Sequence, residues 1–330
     1  MIQAILDNQA AEEQNQAMDA ATAAALIQRL RANLDSVILG KHDVISHLIE
    51  AILAEGSVLL EDVPGVGKTT LAKAIAASID LQFARVQCTP DLLPSDIVGF
   101  SVFQPHDGSF EFRAGPVFSQ LLVMDEINRA SPRTQSALLE AMAEKQVTID
   151  GRKHALPSPF IVIATQNPIR FAGTFPLPES QLDRFLFQLS MSYPDTESEI
   201  ELLLAQKQQS PVDAISAVMS RTQLCQLQKM TREVHVSRQV AAYLVAIVGA
   251  TRVDRRLKLG CSPRGSQWLM RASQARALTL GRDYCLPDDV AALAPLAIAH
   301  RVVASESNHF SLEQNRKIIR EIVTAIEVPV

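Results

Sequence analysis

The stretch EDVPGVGKTT at 61–70 sets Gly67, Lys68 and Thr69 in the order of a phosphate-binding loop, G-x-x-x-x-G-K-[ST]. Backbone N–H groups of Val66 to Thr69 can converge on a phosphate at a helix N-terminus. Lys68 can bridge the outer phosphates of a nucleoside triphosphate, and the Thr69 hydroxyl can reach Mg²⁺. The first motif position, five residues before Gly67, is Asp62 rather than glycine. Asp enters left-handed backbone regions at modest cost and Pro64-Gly65 can complete the turn, so the loop tolerates the exchange with the carboxylate turned away from phosphate. A chance Gly-Lys-Thr at a helix start is the bland alternative. Against it, SVLLE before the loop and KTTLAKAIAASI after it supply the strand, turn and helix that the motif requires.

Hydrolysis needs carboxylates at the same place. LLVMDE (121–126) is an apolar run ending in Asp125-Glu126, which delivers two acids to the C-terminal edge of a parallel sheet. There Asp125 would hold the Mg²⁺ shell through water and Glu126 would polarise the attacking water. An isolated Asp-Glu would ordinarily read as dipole-matched acids at a helix start; the upstream loop reverses that ranking. FIVIATQNP (160–168) runs to the same edge, so Asn167 arrives beside Glu126, where its amide can hold water against the terminal phosphate; a turn-forming Asn before Pro is the alternative. Two arginines complete the set: Arg184 in PESQLDRF, on the rim before the last strand, and Arg264 in LGCSPRG, opening a helix. Either alone would suit a surface ion pair.

The elements that must position these groups are short apolar runs, SVLL (57–60), FARVQ (83–87), LLVM (121–124), FIVIAT (160–165) and FLFQL (185–189), alternating with helical patterns. Runs without polar alternation suit strands covered on both faces, hence an α/β fold with a parallel five-stranded sheet. From about 191 helical periodicity takes over, and Tyr193-Pro194-Asp195 marks the junction. The expected division is 1–30, an N-terminal helical or mobile segment rich in Ala and Gln; 31–190, the nucleotide-binding α/β domain; and 191–330, a helical lid domain. SVFQPHDGSFEFR (101–113) and QVTIDGRKHAL (146–156) interrupt the pattern with Asp-Gly between β-prone residues, predicting two hairpins.

Composition narrows the function. A chain of 330 residues with 47% apolar content builds a real core, and a net charge of −5 gives no field for a polyanion, so nucleic acid is not expected as a partner. The basic cluster Arg252, Arg255, Arg256 and Lys258 reads as a solvated face. Cys88, Cys225, Cys261 and Cys285 show no C-x-x-C spacing and the histidines no metal-binding cluster. The start lacks a basic n-region, and VAAYLVAIVGA (240–250) is too short to span a bilayer, so no membrane span and a cytoplasmic location are expected.

Taken in order, DVPGVGKT, LLVMDEINRASPRTQSALLEAM, IATQNP, GTFPLPESQLDRF and CSPRG resemble the MoxR family of AAA+ ATPases over roughly residues 36–305. The resemblance implies an AAA+ P-loop NTPase core using ATP and Mg²⁺. Its nucleotide loop would be Asp62, Val63, Pro64, Gly65, Val66, Gly67, Lys68, Thr69 and Thr70, with Gly40 under the adenine. Asp125-Glu126 would be the Walker B pair, with metal held by Thr69 and Asp125 partly through water. Asn167 would be sensor 1, Arg184 the arginine finger and Arg264 sensor 2. The two hairpins would be pore-facing inserts of this clade. The resemblance further implies a homo-oligomer, usually a hexameric ring, a von Willebrand factor A domain partner and a protein client that is assembled or activated. A lid folded over the nucleotide beneath it would set Arg264 against its own chain's γ-phosphate, while Arg184 on the rim would serve a neighbouring subunit. A nucleic-acid motor and a nucleotide-gated scaffold without turnover are the rival readings.

Overall fold

The computed structural model describes residues 18–61, 65–106, 108–167, 174–205, 215–305 and 312–329. Helices α1 (Ala20–Asp35) and α2 (His42–Leu53) precede strand β1 (Val58–Glu61) and helix α3 (Lys68–Ile79). Then come β2 (Phe83–Gln87), α4 (Pro94–Val98), the hairpin β3 (Gly99–Gln104) and β4 (Ser109–Ala114), β5 (Leu121–Asp125) and α5 (Pro132–Glu144). A second hairpin, β6 (Gln146–Ile149) and β7 (Arg152–Ala155), leads to β8 (Ile161–Gln166), α6 (Glu179–Leu182) and β9 (Phe187–Leu189). The helical remainder holds α7 (Thr196–Ala205), α8 (Arg221–Glu233), α9 (Arg238–Val253), β10 (Leu257–Leu259), α10 (Pro263–Thr279), α11 (Pro287–Ile298), β11 (Val303–Ala304) and α12 (Leu312–Ala325).

The five apolar runs form one sheet in the order β2-β5-β8-β1-β9, every pairing parallel. Side chains alternate between its faces. Along β5, Leu121 and Val123 join the core with Ile49, Leu71 and Ile75, while Leu122 and Met124 join a second core with Leu138 and Leu139 of α5. Because both faces are covered, neither reads as polar, which is why the runs are continuous. Parallel strands also gather their C-terminal ends on one edge, where the loops after β1, β5 and β8 meet.

Both hairpins exist in antiparallel register. Asp150 and Gly151 turn the second with φ of +50° and +75°, the double positive that a two-residue hairpin turn requires. The Phe112 ring lies 4.2 Å from that of His154, joining the hairpins, and at the outer end of the first the Phe103 and Phe110 rings, 5.3 Å apart, stay exposed. Two findings differ from the sequence reading. From Ala20 onward the segment expected to be helical or mobile is a docked helix: Ala23, Leu26, Ile27, Leu30 and Leu34 of α1 are buried, one face at helical spacing, and Asp19 caps the helix by accepting from the Thr22 N–H at 2.7 Å. Residues 1–17 lie outside the described residues. The helical region also carries a small antiparallel pair, β10 with β11, too short to leave a periodic signal.

Candidate functional site

The loop after β1 closes with Gly65 and Gly67, both at φ of +89°, a left-handed conformation that glycine adopts without strain. Among the described residues, a Cβ added at Gly65 would meet nothing within 4 Å and one at Gly67 only Met191 Cε at 4.0 Å, which leaves open space beside the first turn of α3. Lys68, Thr69 and Thr70 begin that twelve-residue helix, whose leading N–H groups and dipole favour an anion. Asp62, Val63 and Pro64 lie outside the described residues. At the strand's end Glu61 accepts from the Gln166 side-chain amide at 3.0 Å and from that of Gln188, tying β1 to β8 and β9 just before the bend.

Asp125 ends β5 and is buried. Its Oδ2 accepts from Thr69 Oγ1 at 3.3 Å and from Arg85 Nε at 2.6 Å, and its Oδ1 from Thr165 Oγ1 at 3.1 Å. Thr165 in turn accepts the Glu126 backbone N–H at 2.9 Å, so one hydroxyl fixes both acids. Glu126 sits at φ of +55°, uncommon for a non-glycine residue and a local strain of the kind found at functional sites. Its carboxylate lies 3.1 Å from Arg129 Nε. Asn167 follows β8, the strand between β5 and β1, and its carbonyl accepts from Asn128 Nδ2 at 3.3 Å. Gly65, Lys68, Thr69, Asp125, Glu126 and Asn167 therefore share one edge. Gly40, at φ of +68°, packs its backbone on the start of α7, where an added Cβ would fall 2.3 Å from Ser198 Oγ. Oxygen donors from Thr69 and Asp125 beside open space suit a hard cation such as Mg²⁺. Among the described residues no group of three or more His, Cys, Asp or Glu could hold a metal without further ligands, as phosphate oxygens would supply.

Arg85 and Thr165 were not foreseen. Their signals are faint: a charge inside the β2 run and a hydroxyl within the buried part of β8. Cys88 lies beside the acids with its thiol pushed up to about 12 by burial and by the charges of Asp125 and Glu126, which leaves it a packing residue.

Arg184 and Arg264 occupy the opposite edge. They line a cavity of about 490 Å³ with Glu55 and Ser57, which precede β1, and with Lys145, Trp268 and Arg271. Arg184 donates to the Leu139 carbonyl at 2.8 Å, and Arg264 lies 3.6 Å from Asp183 Oδ2. The expectation that the lid sets Arg264 over its own phosphate loop is not met. That loop follows the far end of β1, a strand about 10 Å long at roughly 3.3 Å per residue. The physical reason is the lid's position: α10 packs on α2 and α8 behind the sheet, with Arg276 3.3 Å from Glu50 and Gln228 donating to the Ile52 carbonyl at 2.8 Å. Among the residues lining the cavity, four cations face one carboxylate, and the buried Trp268 N–H finds no acceptor among the described residues.

A strand, glycine loop and helix with two acids at the end of β5 define a P-loop nucleotide hydrolase. The family model for the ATPase family associated with various cellular activities (AAA) matches residues 57–187, and that for the AAA lid domain matches 249–322. The chain is 38% identical to "Chaperone MoxR1" of Mycobacterium tuberculosis, covering 84% of this chain and 75% of that protein. It is 30% identical to "Protein MoxR" of Methylorubrum extorquens, covering 83% and 86%, and 46% identical to the uncharacterized protein YeaC of Bacillus subtilis, covering 92% and 95%. A putative ATPase from Cytophaga hutchinsonii superposes with a TM-score of 0.84 at 33% identity, covering 98% of this chain and all of that one. The chain belongs to the MoxR family of AAA+ ATPases.

Proposed function

We propose that this ATPase works as an oligomer in which the phosphate-loop edge of one subunit is completed by the arginine cavity of the next, and that hydrolysis there drives remodelling, assembly or activation of a protein client. The observation that carries the reading is the separation itself: one chain bears the loop and acids at one edge of its sheet and Arg184 with Arg264 at the other. Within a subunit, Lys68 neutralises the outer phosphates, Glu126 polarises the attacking water and accepts its proton, and Asn167 holds that water in line. Thr69 and Asp125 would hold Mg²⁺, partly through water, and the ion when bound would supply charge neutralisation at the phosphate oxygens. Arg184 and Arg264 stabilise the charge that develops on a neighbour's terminal phosphate. The working units are residues 31–190 as the nucleotide-binding domain and 191–330 as the lid. The setting is cytoplasmic, a hexameric ring fits the closed symmetry such head-to-tail contacts favour, and a von Willebrand factor A domain protein is the expected partner.

The relatives named as chaperone and as MoxR support a chaperone-like role. The exposed Phe103 and Phe110 pair offers an apolar grip for polypeptide. The basic cluster gives nucleic acid little to hold, since Arg252 donates to the Cys261 carbonyl and Arg256 is paired with Asp254 and Glu321. Arg184→Ala and Glu126→Gln should each be nearly inactive, the first by roughly 10³-fold or more, and mixing them should restore phosphate release at interfaces that keep one intact Glu126 and one intact Arg184. Mixed oligomers seen by native mass spectrometry without any restored activity would overturn the shared-site reading.

A further inference from the structure

Arg301, in the turn after α11, has a fully buried side chain. A buried guanidinium persists only with its donors satisfied, and here most acceptors belong to one short segment. Nε donates to Asp183 Oδ1 at 2.9 Å, and the terminal nitrogens donate to the carbonyls of Asp183 at 3.0 Å, Leu186 at 3.2 Å and Phe185. Those residues flank Arg184 on both sides. The other contacts stay in the lid, to the Ala297 carbonyl and to His300 Nε2 at 2.7 Å. Asp183 is shared further: its carboxylate accepts the Ser262 hydroxyl at 3.0 and 3.1 Å and faces Arg264 at 3.6 Å. The start of α10 also lies directly on the arginine stem. A Cβ at Gly265 would stand 3.1 Å from Arg301 Cδ and 2.1 Å from Cys261 Sγ.

We infer that Arg301 is a positioning residue that, with Asp183, holds Arg184 and Arg264 as one rigid unit, so that both guanidiniums meet the neighbouring subunit's terminal phosphate in fixed register. This rests on the shared-site reading of Arg184. One side chain braces the backbone on either side of the first arginine and, through one carboxylate, the side chain of the second. A lysine at this place would keep the charge and lose the planar fork that reaches several acceptors at once.

The test compares Arg301→Lys with both reference variants. Its own phosphate loop is untouched, so affinity for a fluorescent ATP analogue should match wild type while kcat falls on the order of 10²-fold, the usual effect of a displacement near 1 Å at a reacting centre. Mixed with Glu126→Gln, Arg301→Lys should regain activity, because the partner supplies well-placed arginines. Mixed with Arg184→Ala it should regain none, because both lack them. Wild-type turnover, or recovery against Arg184→Ala instead of Glu126→Gln, overturns the inference. Asp183→Asn, which keeps side-chain volume and removes the shared charge, is run in parallel and must fall in the same class; it decides the matter if Arg301→Lys does not assemble. The Arg184→Ala and Glu126→Gln mixture separates the two levels. If that reference recovers and Arg301→Lys falls in the wrong class, the positioning role alone fails; if the reference stays dead in mixed oligomers, the shared site fails and the role with it.

Discussion

At the C-terminal edge of the sheet the chain collects glycines, hydroxyls and carboxylates, each within a few residues of the strand that delivers it; at the N-terminal edge it collects guanidiniums from segments more than seventy residues apart, Arg184 before β9 and Arg264 on α10. The first edge offers a helix N-terminus, hydroxyls and carboxylates, and the second a cluster of cations that, on the proposed reading, meets the charge the first leaves over. Opposite edges of one sheet cannot serve the same phosphate. On the reading proposed above, each chain carries two half-sites, and catalysis belongs to the contact between chains rather than to either.

That contrast makes graded predictions. The largest effect falls on the loop: Lys68→Ala removes the cation that bridges the outer phosphates, and ATP binding by dilute subunits should be lost in equilibrium titration, whereas no cavity substitution should do this. Wild-type affinity in Lys68→Ala would mean that the loop is not the nucleotide site. Next, Glu126→Gln should bind ATP normally and turn over roughly 10²-fold more slowly, as expected for loss of a general base; single-turnover measurements separate the two. Arg264→Ala should leave the affinity of isolated subunits unchanged and lower assembled turnover roughly 10- to 100-fold, the worth of one charged hydrogen bond. A change in affinity that appears already in monomers would return Arg264 to its own nucleotide and break the comparison.

The smallest effect tests how firmly the second edge is packed. Burial, with the adjacent Arg301 charge, pushes the His300 imidazole well below the ordinary histidine value. The folded chain therefore resists protonation that the unfolded chain accepts. Stability should be insensitive to this group above pH 6.5 and fall below it, by at most about 1.4 kcal/mol per pH unit. His300→Gln should remove that component of the slope in urea midpoints collected between pH 7.5 and 5.5; an unchanged slope would show that the imidazole is accessible.

The legible part of this molecule is the part written locally. The five strands are legible as short apolar runs without polar alternation, and Gly67, Lys68, Thr69, Asp125 and Glu126 as motifs that sit next to those strands. The two hairpins were visible because Asp-Gly dictates backbone sign at a turn. What escaped depends on distant packing. Nothing near CSPRG tells which side of the sheet α10 will occupy; that is decided by Gln228 against Ile52 and Arg276 against Glu50, pairs separated by 176 and 226 residues. Arg85 and Thr165 escaped for a related reason, since their importance lies in reaching Asp125 across neighbouring strands.

Helix α1 touches both halves of this arrangement. It packs on α3, where Asn33 donates to Ser78 Oγ at 2.9 Å, and also on α10, the helix that Arg264 opens. Helix α1 thus bridges the helix that opens at the phosphate loop and the helix that opens at Arg264. A fusion tag or a binding protein that pulled on α1 would therefore act on both contacts at once, at a distance from every candidate site residue.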